Sequence, residues 1–159
     1  VPDGEEGELV MTTLLREGMP IIRYRTKDLT RIIPGPCECG RTHRRIERFK
    51  GRTDDMMILK GVNIFPIQIE KKLMDVPGVG TNFQIILERK GFNDEMIVKV
   101  EVASEFFDGD LLKLERLQRR ITDELKGDIL ITPKVELVEP GSLPKTEGKA
   151  VRVIDNRKD

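Results

Sequence analysis

Residues 95–102, "EMIVKVEV", carry an apolar side chain at every second position: Met96, Val98, Val100 and Val102 on one side, Lys99 and Glu101 on the other. Successive side chains of a strand point to opposite faces, so this alternation predicts a strand with one buried and one solvated face. "NFQIILE" at 82–88 repeats the pattern with Phe83, Ile85 and Leu87, and "RKGFND" between the two runs makes them a hairpin. Helical spacing flanks the hairpin on both sides. Ile69, Leu73 and Val76 fall at i, i+4 and i+7 after Pro66, which suits a first helical turn, and Pro77-Gly78 ends that helix. Asp108 is placed to cap a second helix, along which Leu111, Leu114, Leu117, Ile121 and Leu125 form a stripe. Adding "DMMILKG" before and "KVELV" after as strands gives the order β-α-β-β-α-β. That is the ferredoxin-like arrangement, a small sheet with helices on one side. Residues 139–159 then form an appended tail loop.

The first 50 residues follow a different grammar. "GELVMTTL" reads as a strand, and "IIRYRT" and "LTRII" read as two more around a tight connection at Lys27-Asp28. "PGPCECGRTH" interrupts with two prolines and two glycines, and no helix signal precedes residue 63. The prediction is an α+β chain: a small β subdomain over 1–52, then the ferredoxin-like domain over 53–159, with the boundary in the charged stretch Gly51–Asp55. The chain opens on Val1 in the approach to a strand and reads as a piece of something longer.

Composition narrows the function classes. Lys+Arg and Asp+Glu are both 28, so no net field steers the chain to nucleic acid or an anionic membrane. With no Trp and a single Tyr, a platform for stacked bases is not expected. No apolar run approaches the roughly 18 residues of a membrane span, and no signal-peptide pattern opens the chain. Two cysteines do not make a disulfide scaffold, which points to a reducing cytoplasm.

Five stretches could carry chemistry. In "GSLPKTEGKAVRV" Gly148 directly precedes Lys149, but six residues separate Gly141 from Gly148 where a P-loop has four, and Ala150 stands where Ser or Thr would bind magnesium. A Walker site is therefore rejected. What is left is a lysine beside a flexible glycine behind the stiff Pro144, a frame suited to presenting an ammonium group to an anion. Asp28 could accept from a pair of hydroxyls, or simply pair with Arg25 or Lys27. Arg52 followed by Asp54 and Asp55 reads as linker charge or as a hinge. Cys37 and Cys39 are half of a metal site at best, because structural zinc takes four ligands and only His43 is close in sequence. Residues 41–52 hold six basic residues against Glu47 alone, a weak candidate for phosphate contact.

Taken in order, "YRTKD", "GRTDDMMILKGVNIFPIQIE" and "LPKTEGK" resemble the C-terminal motifs of the adenylate-forming enzymes, the acyl-CoA synthetase superfamily. "CECGRTHRRI" before "GRTDDM", together with "GVNIFP", resembles its phenylacetate–CoA ligase branch more narrowly. The resemblance spans essentially the whole chain. It implies the end of a large N-terminal adenylation domain followed by a mobile C-terminal domain. It also implies an AMP-forming acid–thiol ligase acting on an aromatic carboxylic acid, ATP with Mg2+, and coenzyme A. By the same resemblance Asp28 and Arg52 would bind nucleotide, Asp54 would be the hinge, and Gly61, Val62 and Asn63 would face CoA. Lys149 would enter the site for adenylation, and Zn2+ at Cys37 and Cys39 would need ligands from elsewhere. Two departures stand out: Lys27 occupies a position where the family carries glycine, and Lys145 offers a second ammonium near Lys149. The rival expectation is a non-catalytic module contacting RNA or a protein through residues 41–52. Which acid is activated is not written in these residues, and a homodimer stays open.

Overall fold

The computed structural model describes residues 1–107, 109–144 and 152–157. They fall into two compact units, Val1–Met56 and Met57–Asp159.

The first unit is a small antiparallel sheet. Strand β1 (Glu6–Met11) pairs with β2 (Tyr24–Ile33), which also pairs with β3 (Arg45–Ile46) and β4 (Gly51–Arg52). The expected break at Lys27-Asp28 is instead a bulge inside one ten-residue strand. Glu8 lies opposite Leu29 and Val10 opposite Arg25, so β2 carries surplus residues against the same stretch of β1. Lys27 absorbs them with φ of 67°. The Thr26 hydroxyl stitches the bulge, donating to the Leu9 carbonyl at 3.1 Å and accepting from the Asp28 N–H at 3.2 Å. Bulges re-aim side chains, and this one displays Lys27 and Asp28 beside β4.

In the second unit, β5 (Met57–Leu59) and β6 (Val62–Ile64) form a hairpin of their own. Then come α1 (Pro66–Met74), β7 (Val79–Lys90), β8 (Asn93–Val102), α2 (Leu111–Ile129), β9 (Lys134–Val138) and β10 (Val153–Asp155). The main sheet has the order β10-β7-β8-β9, with β7 and β8 antiparallel and the outer strands parallel to their neighbours. The α+β class and the β-α-β-β-α-β succession stand, but the fourth strand of the sheet comes from the tail. The 57–59 run is only three residues long, and a two-residue turn with positive φ at Lys60 (50°) and Gly61 (80°) folds it straight back onto β6. Its buried Met57 and Leu59 join the core from that hairpin.

Pro66 occupies the first turn of α1, and the Gln68 side chain accepts from the Phe65 N–H at 2.8 Å, satisfying one donor that the helix leaves orphaned. Ile69 and Leu73, with Val76 just beyond, are buried as their spacing predicts. Helix α2 is capped by Asp110, whose Oδ1 accepts from the N–H groups of Leu112 and Lys113 at 3.0 and 3.2 Å. Asp108, expected to cap it, lies outside the described residues. The buried stripe of α2 also begins later, at Leu117, and runs through Ile121, Leu125 and Ile129, whereas Leu111 is exposed. Both helices cover Phe83, Ile85, Leu87, Val98 and Val100 of the hairpin. Each such fully buried side chain stabilises the unit by about 1.5–3 kcal/mol.

The face of β8 expected to be solvated is not wholly so. Ile97 is buried there, and Glu101, expected to point to water, is 5% exposed. The tail also is no free appendage: Arg152 stacks over the Phe83 ring at 4.5 Å and pairs with Glu70, while β10 runs beside Ile85–Leu87. Arg157 finishes the edge, donating to Asp155, Asp94 and the Ile58 carbonyl. No helix among the described residues is long and apolar enough to cross a membrane.

Candidate functional site

Strand pairing sets the site of the first unit. Asp28 and Arg52 are direct cross-strand partners of β2 and β4, and the bulge brings Lys27 to the same end. The turn after β4 is held there by the Thr53 N–H, which donates to the Lys27 carbonyl at 2.8 Å. Asp54 therefore comes back over the guanidinium. Arg52 donates through Nε and Nη2 to the two oxygens of Asp54, both at 3.1 Å, and through Nη1 to Asp28 Oδ1 at 3.2 Å. Lys27 Nζ adds a contact to Asp54 Oδ2 at 3.3 Å, and Asp55 lies 3.7 Å from Arg52. Three of the residues singled out in the sequence are thus one constellation.

Its electrostatics follow from the bidentate geometry. The Arg52 fork, aided by Lys27, holds Asp54 at about 2, and the carboxylates in turn push the guanidinium above its usual value. Asp28 is in a different position. Its Oδ1 takes one bond from Arg52, and among the described residues no donor is recorded on Oδ2, so one carboxylate oxygen can accept from a diol. Its side chain is 22% exposed, enough to meet a ligand. Lys27 stands with a left-handed φ, the region glycine enters without a Cβ penalty, which is why glycine suits this position. The lysine keeps that backbone and adds the contact to Asp54.

The other candidates lie on other elements. Gly61 forms the β5–β6 turn at φ 80°, and Val62 and Asn63 open β6, with the Asn63 side chain exposed on the hairpin. Cys37 and Cys39 lie in the loop between β2 and β3 with their Sγ atoms 2.9 Å apart, both as free thiols. The Cys39 contact, with Arg45 nearby, pulls the Cys37 thiol below its usual range. The described residues include no group of three or more side chains able to share a metal ion. Lys149 and Lys145 lie outside the described residues. Three of the six basic residues in 41–52 are compensated by carboxylates: Arg44 pairs with Asp3, Lys50 with Glu6, and Arg52 with Asp28 and Asp54.

Sequence reasoning missed Glu101, Asn82 and Leu143. The Leu143 N–H donates to Glu101 Oε1 at 2.9 Å, and Asn82 Nδ2 donates to Oε2 at 3.2 Å. A glycine and an asparagine at 80 and 82, inside a strand otherwise rich in β-branched residues, were the available signal for an irregularity there.

A family model described as the AMP-binding enzyme C-terminal domain matches residues 61–157. Phenylacetate-coenzyme A ligase of Thermus thermophilus is 43% identical over 99% of the chain, which covers 38% of that relative. A crystal structure of 2-hydroxyisobutyryl-CoA ligase in the postadenylation state, in complex with R3-HIB-AMP, superposes with a TM-score of 0.87 at 35% identity. That match covers 99% of this chain and 33% of the other. A solved domain of phenylacetate-coenzyme A ligase from Bacteroides vulgatus is 53% identical over 66% of this chain and 95% of its own, with a TM-score of 0.61. The chain thus spans between 33% and 38% of the length of these longer relatives.

Proposed function

The chain belongs to the AMP-binding enzyme C-terminal domain family, and from that membership we propose that it is the C-terminal part of an ATP-dependent arylacetate–CoA ligase. The observation that carries this reading is the convergence of Asp28 and Asp54 on Arg52 in one short stretch of sheet. A ribose needs an acceptor for its hydroxyls, and a domain hinge needs a residue whose backbone can be held or released. The constellation offers both within reach of a single guanidinium.

Two steps make up the reaction. The carboxylate oxygen of the acid attacks the α-phosphorus of ATP, and the bond to pyrophosphate breaks, leaving the acyl-adenylate. The thiol of CoA, losing its proton, then attacks the acyl carbon and expels AMP. Asp28 accepts from the ribose hydroxyls, and Arg52 turns toward the nucleotide as its bond to Asp28 gives way. Negative charge grows on the α-phosphate in the first step. Lys149 supplies an ammonium there, and a single well-placed donor of this kind is worth about 3 kcal/mol. Asp54 is the hinge, and Gly61, Val62 and Asn63 face pantetheine in the second step. Mg2+ arrives with ATP. No group of described residues fits Mg2+, and Cys37 and Cys39 offer only two ligands to Zn2+, so no step is routed through a metal on this chain. The upstream remainder of the large domain supplies the acid pocket, and both cysteines stay thiols in a reducing cytoplasm.

The test uses the full-length enzyme. Lys149→Ala is expected to lower phenylacetate-dependent pyrophosphate exchange by about 100-fold or more while sparing thioester formation from supplied phenylacetyl-adenylate. Asp54→Pro should do the reverse. Equal losses in both half-reactions for either variant would refute its assigned role.

A further inference from the structure

In the sheet of the second unit, one buried acid has no part in the reaction as described. Glu101 sits in β8 between Val100 and Val102, whose side chains enter the core, so its own side chain leaves by the opposite face. Three features are arranged around it. Strand β7 bulges there: Val79 lies opposite Val102 and Phe83 opposite Val100, so three residues, 80–82, face Glu101 alone. Gly80 makes the room, since a Cβ at that position would come within 2.9 Å of the Glu101 carbonyl oxygen and 3.3 Å of its Cβ. Asn82, at the end of the bulge, donates to one carboxylate oxygen, and the N–H of Leu143 donates to the other. Leu143 is itself buried, immediately before Pro144 and six positions before Lys149.

A charged acceptor makes hydrogen bonds roughly twice as strong as a neutral one, and burial sharpens them further. Putting a carboxylate in such a place is costly unless both oxygens are bonded. A strand position that would ordinarily hold a solvated side chain, a bulge and a glycine have all been fitted to this one group. The segment it grips is a backbone stem. Beyond residues 145–151 the chain returns at Arg152, which is tied to Glu70 and Phe83, and continues as β10. Leu143 and Arg152, which flank the stretch carrying Lys149, are therefore both tied to the β7–β8 pair.

We infer that Glu101 is a positioning residue: by holding the Leu143 amide against the β7 bulge it fixes the entry stem of the lysine-bearing segment, and so the reach of Lys149 into the adenylation site. The inference rests on the role proposed for Lys149 and adds to it the residue through which the scaffold sets that lysine. A misplacement of about 1 Å can cost about a hundredfold in rate.

The experiment uses the full-length enzyme, with Glu101→Ala, Glu101→Gln and Asn82→Ala measured in each half-reaction separately. Glu101→Ala is expected to lower phenylacetate-dependent pyrophosphate exchange by about 10- to 100-fold, with thioester formation from supplied phenylacetyl-adenylate within about threefold of wild type. Glu101→Gln keeps one acceptor for the Leu143 amide and should restore exchange to within about fivefold. Asn82→Ala leaves the carboxylate in place with one tether fewer, so it gives a milder loss with the same selectivity if Glu101→Ala fails to fold. Parallel losses in both half-reactions, or exchange unchanged in Glu101→Ala and Asn82→Ala, overturn the inference. If Glu101→Ala is selective while Lys149→Ala is not, the stem positions something other than Lys149 and the inference fails in that form. Absence of exchange in the wild-type enzyme removes the functional reading itself, and the inference with it.

Discussion

Replacing Arg52 by Gln removes the fork that donates to both oxygens of Asp54 at 3.1 Å and to Asp28 at 3.2 Å. In the unaltered chain Asp54 is held at about 2, against 3.8 for an aspartate without partners, with Arg52 as the largest cause and Lys27 a smaller one. The variant keeps only Lys27, while Asp28 and Asp55, which share Arg52 as partner, lose their compensating cation. Neighbouring like charges raise a carboxyl, so the Asp54 midpoint should rise to roughly 3.5–4.5. Carbon-detected NMR of the aspartate carboxyls, titrated from pH 1.5 to 6 in the 159-residue chain, reads this directly. A midpoint still within about half a unit of 2 would show that Arg52 is not what holds Asp54. The sign for stability follows from the same shift. A carboxyl depressed in the folded state adds stability above about pH 4 and loses it as pH falls through about 2. The variant should lack that segment of its melting profile. At 0.5 M salt the unaltered chain should move partway toward the variant, because these groups are well exposed to screening.

Two further outcomes follow from other parts of the chain. Gly78 has φ of 95°, and a Cβ there would come within 2.7 Å of the Phe106 ring, so Gly78→Ala should destabilise the chain by about 2–4 kcal/mol, from left-handed strain plus overpacking. Urea titration should show a lower midpoint at unchanged slope, and Phe106→Ala in the same chain should recover the packing part only; additive losses would exclude the clash. Arg157 holds Asp155 at about 2, and Arg89, with Arg157 second, depresses Asp94, so the β10 edge should keep its protection above about pH 4 and lose it as pH falls toward 2. Amide exchange at Ile154 and Asn156, compared with Val98 in the centre of the sheet, checks this; equal protection at pH 2.5 would refute it.

Much of this was legible because it is local. The alternation in "EMIVKVEV" and the helical spacing of Ile69, Leu73 and Leu117–Leu125 depend on neighbours a few residues away, and the structure buries those side chains. The order of elements and the α+β class came through for the same reason. The errors lie where a distant segment decides. Glu101 obeys the alternation and still is buried, because Leu143 comes back to cover that face. Strand β10 was invisible, since three residues paired in parallel to β7 leave no periodicity of their own. The Lys27-Asp28 connection looked like a turn because lysine and aspartate punctuate strands, yet only pairing with β1 distinguishes a turn from a bulge. The Arg52 constellation was assembled from a motif order; its geometry needed the β2–β4 register.

The parallel pairing of β10 with β7 bears on how the domain comes into being. As a nascent chain emerges, α1, β7, β8, α2 and β9 can assemble from segments near one another in sequence, but Val153 must find Ile85 across the whole of that assembly. Closing so long a loop is entropically slow, so the outer edge of β7 stays unpaired until β10 has been made and has docked. An unpaired edge can recruit another copy of the same strand. Arg152, meeting both the Phe83 ring and Glu70, and Arg157, reaching Asp94 and the Ile58 carbonyl, clamp the arriving strand at its two ends. The strand that seals the sheet is thus the last of its four to arrive, so the β7 edge becomes safe from misassembly only once β10 has docked.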